Sequence, residues 1–218
     1  MDDEEAGKMD IFEAIKTRRS VRKYKDIDIP KNTILELITY GCLAPSAGNG
    51  QPWQFLVVHR SFLDKLEATL GESFDQRIAD GGEDLLREAV RDLPIPTKEN
   101  GDKLTGLKTF YRTLGGAPVG IVVCVPKEQD PWVWRNHLSD ASAAIENILL
   151  AAWAQGLGTC WMTGPLKTRG DAIASLLELP KNLEIVAIVT LGYPDHKPEM
   201  PPKHDVNQKV KWIGFDVE

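Results

Sequence analysis

The chain has 218 residues, 42% hydrophobic and 27% charged, with a formal net charge of −6. That is the size and composition of one globular domain able to bury a full core. A pI near 5.3 argues against nucleic acid or an anionic membrane surface as partner, and no apolar run approaches the about 20 residues of a membrane span.

Residues 1–8, rich in Asp and Glu, read as a disordered acidic tail with no secretory apolar region; residues 9–218 read as a single domain. Cys42, Cys124 and Cys160 form no CxxC pair, which predicts reduced thiols and a cytoplasmic protein. Ile11, Phe12 and Ile15 recur at helical spacing and predict a short helix to about Thr17. Beyond it, six of the ten residues from Lys16 to Lys25 are cationic. So many like charges in an acidic chain call for a small bound anion, and phosphate suits guanidinium forks best. The β-branched and aromatic members, with Pro30 beyond, favour an extended path. Strand alternation then puts Arg18, Ser20 and Arg22 on one side and Arg19, Val21 and Lys23 on the other.

Ile34, Leu37, Ile38 and Gly41 predict a second helix that stops before Pro45. The turn-forming loop Pro45-Ser46-Ala47-Gly48-Asn49-Gly50-Gln51-Pro52 follows. Trp53–Val58 reads as a buried strand, and Leu63, Leu66 and Leu70 mark a helix. Residues 72–116 are polar, carry Gly81-Gly82, Pro94 and Pro96, and hold one helical signal at Leu85, Leu86 and Val90; a long polar insertion of this kind reads as a lid or substrate-facing flap. Val119–Val125 is a central strand by its continuous apolar run. Leu138 to Ala152 repeat at spacings of three and four and predict a long buried helix ending at Gly156 and Gly158. Cys160-Trp161-Met162 reads as a short extended piece, residues 169–178 as a helix and Leu183–Leu191 as a buried strand. From Gly192 the proline-rich tail should run along a surface, and such a tail often embraces a partner. The alternation predicts an α+β or α/β domain with one central sheet.

Catalytic signatures are absent from the sequence. There is no GxGxxG, GxxxxGK[ST] or GxSxG, and His59, His137, His196 and His204 are scattered without metal spacing. The chemistry must therefore come from a bound cofactor, with no catalytic side chain and no metal site expected.

Four motifs in order resemble the nitroreductase family of flavoenzymes: Arg18-Arg19-Ser20-Val21-Arg22-Lys23-Tyr24, Ala44 through Trp53, Gly156 through Gly164, and Leu191-Gly192-Tyr193-Pro194. The resemblance covers about residues 10–212. It implies an FMN-binding α+β sandwich with a central mixed sheet flanked by helices. It also implies a homodimer with two flavins at the interface and a C-terminal tail extended over the partner. Arg18 and Ser20, with Arg19 beside them, would bind the FMN phosphate and ribityl chain. Arg22 would approach the N1/O2 edge of the ring, where a cation favours reduction. Pro45, Ser46, Ala47 and Asn49 would come from the other subunit, and Gln51 would also bind the cofactor. The backbone of Trp161, Met162, Thr163 and Gly164 would line the ring and give an N–H to N5. Lys203 stands near the family's basic residue over the phosphate, although Lys203-His204-Asp205 departs from the usual Arg-Pro pattern. The implied reaction is ping-pong hydride transfer through flavin N5, from NADH or NADPH to a small electron-poor acceptor such as a nitroaromatic or quinone. A reductive dehalogenase, a flavin-consuming enzyme and a non-catalytic flavin-binding module remain alternatives.

Overall fold

The apolar run from Val119 becomes the centre of a four-stranded sheet in the computed structural model, which describes residues 9–97 and 101–215. The tail expected at residues 1–8 lies outside the described residues. The strands are β1 (Gln54–His59), β2 (Val119–Pro126), β3 (Gly158–Met162) and β4 (Leu183–Gly192), in the order β1-β2-β4-β3. β2 is buried from Val119 to Val125 because helices cover both faces of the sheet, which is why its sequence does not alternate.

On one face Ile121, Val123 and Val189 pack against Ile34 and Leu37 of α2 (Lys31–Cys42) and Ile145 and Ile148 of α6 (Pro131–Ala154). On the other, Val122, Cys124 and Cys160 meet Leu66 and Phe74 of α3 (Arg60–Arg77), Phe110 and Tyr111 of α5 (Lys103–Thr113) and Ile173 of α7 (Leu166–Leu176). A register shift between Val123 and Cys124 lets Ile185 and Ile188, three residues apart, share that face. The result is the helix–sheet–helix sandwich expected. The sheet departs from the mixed one in that its four strands all pair antiparallel, and among the described residues parallel pairing is confined to an isolated bridge between Ser20 and Thr159.

Three other elements differ from the sequence reading. α6 starts at Pro131, before Leu138, because Asp130 Oδ1 accepts the N–H groups of Trp132 (2.7 Å) and Val133 (3.4 Å) and Pro131 opens the first turn. Trp132 is consequently an exposed residue of the first turn, while Trp134 packs against the core. The insertion holds α4 (Glu83–Val90) as expected, and also α5, capped by Asp102 through the N–H of Thr105 (3.2 Å). α7 runs from Leu166 to Leu176, with Arg169 outside helical geometry (φ −134°). The tail makes no strand among its described residues and leaves Trp212, Ile213 and Phe215 exposed. No helix among the described residues is long and apolar enough to cross a membrane.

Candidate cofactor site

The basic segment follows α1 (Ile11–Thr17) and is stitched to the edge of β3. The Val21 N–H donates to the Thr159 carbonyl (2.8 Å), the Tyr24 N–H to Gly115 O (2.9 Å) and the Lys25 N–H to Tyr193 O (2.9 Å). Val21 and Tyr24 are the buried anchors. The Tyr24 hydroxyl donates to Val21 O (2.7 Å), which leaves Thr190 Oγ1 to donate to the phenol oxygen (2.7 Å). Burial pushes the Tyr24 phenol well above its ordinary pKa, so it stays a hydrogen-bonding anchor. Lys23 turns outward and pairs with Asp195 (2.7 Å), holding that carboxyl below the usual carboxylate range.

These anchors carry the remaining side chains into one cavity of about 280 Å³, lined by Lys16, Arg18, Arg19, Ser20, Arg22 and, from the tail, Lys203. Five cations meet there, and among the described residues lining it there is no carboxylate. Arg18, Ser20 and Arg22 come together as the alternation predicts, and Lys203 joins them. Arg19 does not follow that alternation: it lines the cavity beside Lys16 of α1, because the chain leaves the helix at Arg18 (φ −55°, ψ 138°). Arg19 folds back so that Nη1 donates to the carbonyls of Lys16 (3.0 Å) and Arg18 (2.7 Å), while its Nε is buried with no partner. An orphaned buried guanidinium donor among five cations fits a phosphate-bearing group. Arg18 Nε lies 3.5 Å from Glu146 Oε1 on α6, leaving its Nη fork for a ligand.

Ser20, which lines this cavity, bridges to Thr159 at the edge of β3. Thr159 spends its outward carbonyl on Val21, and by the pleat Trp161 presents its N–H and C=O to the same edge. Trp161 is 37% exposed, whereas Met162 turns its side chain into the core and can offer only backbone. The following turn, Thr163-Gly164-Pro165, is packed tightly at Gly164. A Cβ on Gly164 would collide with the Tyr111 hydroxyl and lie 2.8 Å from Arg77 Nη1. Burial pushes the thiols up, Cys124 to about 12, and does the same for Cys160 although Arg22 and Arg18 oppose it. Both thiols stay neutral, so neither serves as a nucleophile.

The loop of residues 45–51 does not reach that cavity. It sits against α6, where Asp140, buried among apolar residues, accepts the Ala47 N–H at Oδ1 (3.1 Å). Ser46 Oγ accepts the Gln51 N–H (3.0 Å), and the Gln51 amide donates to Asn49 Oδ1 (3.2 Å). Gly48, Asn49 and Gln51 all have positive φ, so the loop holds a fixed, strained shape while Pro45, Ala47, Asn49 and Gln51 stay exposed. Asp140 was not legible in the sequence, where it passes for a polar-face residue of an amphipathic helix. Asp140→Ala leaves the Ala47 N–H without its acceptor and costs about 1–3 kcal/mol. Asn, which keeps an acceptor, costs less. Amide exchange at Ala47 should speed up in the Ala variant alone; equal rates in both would remove Asp140 from this role.

The sequence model of the Nitroreductase family matches residues 15–193. A Methanothermobacter thermautotrophicus protein assigned as a NADH dehydrogenase/NAD(P)H nitroreductase is 32% identical over 200 residues, covering 90% of this chain and 83% of its own length. A 4-nitrobenzoate reductase from Nocardioides is 31% identical over 207 residues, covering 86% and 82%. Among solved structures, an FMN- and NADPH-dependent nitroreductase from a Sphingopyxis strain superimposes with a TM-score of 0.73 at 21% identity, covering 95% of this chain and all of that one.

Proposed function

The chain belongs to the nitroreductase family, and from that premise we propose that it is an FMN-dependent oxidoreductase that uses NADH or NADPH to reduce electron-poor aromatic acceptors. The observation that carries this reading is the five-cation cavity, with its orphaned Arg19 Nε, whose lining residue Ser20 bridges to Thr159 at the edge of β3. Bound FMN supplies a ring that takes a hydride from the nicotinamide and passes reducing equivalents to a nitroaromatic, quinone or related acceptor in a ping-pong cycle. Arg18, Arg19, Ser20 and Lys203 hold the phosphate, and Arg22 serves the polar edge of the ring. The backbone of Trp161 through Gly164 borders the ring and offers an N–H. In a homodimer, Pro45, Ser46, Ala47, Asn49 and Gln51 of a second copy close the ring's other side. The exposed tail crosses onto that copy, and the polar insertion borders the acceptor without being a free lid, because its Phe74, Leu104, Phe110 and Tyr111 pack in the core. Hydride transfer needs no protein acid or base.

The purified protein should be yellow, or turn yellow on adding FMN, and NADH or NADPH should bleach it anaerobically. A colourless protein that takes up no FMN overturns the proposal. A protein that binds FMN but turns over no acceptor is a binding module. Halide release from a halogenated phenol in preference to nitro reduction points to reductive dehalogenation on the same site.

A further inference from the structure

The arginines of this chain sort by what they face. Of ten, six pair with carboxylates: Arg18, Arg60, Arg87, Arg91, Arg112 and Arg169. Among the described residues four do not. Arg19 and Arg22 line the phosphate cavity, and Arg135 lies over the Trp132 ring at 6.0 Å. The fourth is Arg77, the last residue of α3. Every other arginine of α3, α4 and α5 has a carboxylate partner, so an acidic surface has left this one guanidinium unneutralised while half burying it. A half-buried cation without a counter-charge is costly unless an anion visits it.

Its surroundings say which anion. Arg77 Nη1 donates to the Tyr111 hydroxyl (3.4 Å) and lies against Gly164, in the turn that follows β3. Tyr111 is fixed by an edge-on contact with Phe74, one turn earlier on α3 (5.3 Å between ring centroids). α3 ends at Arg77 in a wide turn, Ile78–Gly82, with Gly81 at φ +80°, an irregularity frequent at functional sites. One of the five guanidinium N–H donors is used, and the Tyr111 hydroxyl, having accepted, still has its own proton to give. A guanidinium fork with one phenol beside it matches a monoanionic carboxylate; the dianionic phosphate already has its five-cation cavity.

We propose that Arg77, assisted by the Tyr111 hydroxyl, is the specificity residue of the redox site and selects aromatic acceptors that carry a carboxylate. The inference rests on the FMN-dependent reading above. Gly164 borders the ring in that reading, so an acceptor stacked there brings its ring substituent to Arg77.

The test compares wild type, Arg77→Gln and Arg77→Lys holoenzymes on 4-nitrobenzoate and on neutral 4-nitrobenzyl alcohol. It also measures benzoate binding through the flavin absorbance, and the reduction potential of bound FMN. Wild type should prefer the carboxylate. Gln should lower kcat/KM for 4-nitrobenzoate, mainly through KM, and weaken benzoate binding roughly ten- to hundredfold, while the neutral acceptor, the potential and Tm hold. Lys should recover part of the loss. Equal losses on both acceptors, no carboxylate preference in wild type, or a shifted potential with unchanged preference each overturn this inference alone; the last would place the guanidinium on the cofactor instead. A wild type that binds FMN but turns over neither acceptor overturns the oxidoreductase reading and this inference with it.

Discussion

Arg18→Ala should bind FMN roughly ten- to hundredfold more weakly than wild type, the loss expected for charge-assisted hydrogen bonds to a phosphate, whereas Lys25→Ala should bind it unchanged. Lys25 is exposed and outside the cavity, and only its backbone N–H holds the segment in place. Arg18 presents its fork to the cavity and meets Glu146 with Nε. That ion pair is part-exposed and adds little stability. Removing Arg18 does more harm to the ligand than to the fold, because it takes a guanidinium from the cavity while the ion pair it breaks is part-exposed. Arg18→Lys should restore only part of the affinity, since an ammonium cannot fork. Fluorescence titration of released FMN reads all three. Equal affinities for Arg18→Ala and Lys25→Ala would refute the phosphate assignment.

Much of the fold was legible because its signals are local. Val119–Val125 is apolar without break and could only be a doubly covered strand, and Ala141, Ile145, Ile148 and Ala152 mark the buried stripe of α6. α5 was missed because Gly106 and three threonines dilute its apolar face; what holds it is the packing of Leu104, Phe110 and Tyr111 under the sheet, which local spacing does not announce. The side assignment of the basic segment worked for Arg18, Ser20 and Arg22 but not for Arg19. Strand alternation applies where strand pairing exists, and here bridges form only at Ser20 and Tyr24. Arg77 gave no local signal at all: its partner Tyr111 lies 34 residues away, and its meaning comes from lacking the carboxylate that its neighbours have. Asp140, 93 residues from Ala47, escaped for the same reason.

The seating of the basic segment depends on one backbone contact that a methyl group can test. Gly115 has φ +66°, and a Cβ there would collide with the Arg22 carbonyl oxygen and lie 2.7 Å from its carbonyl carbon and 3.2 Å from Lys23 N. These are main-chain atoms. They cannot yield without drawing the Tyr24 N–H from Gly115 O or the Val21 N–H from Thr159 O. Gly115→Ala therefore combines a left-handed backbone cost with overpacking, roughly 2–5 kcal/mol together. For a chain of this length that lowers Tm by roughly 5–20 °C. Because the displaced atoms belong to Arg22, FMN affinity should fall with it. Gly156→Ala isolates the first effect: its φ is +75° and nothing lies within 4 Å of the added methyl. It should lose about 1–2 kcal/mol and keep its affinity for FMN. Thermal melts and FMN titrations of the two variants separate strain from seating. If Gly115→Ala melts no lower than Gly156→Ala and binds FMN as tightly, Gly115 does not seat the cofactor-binding segment.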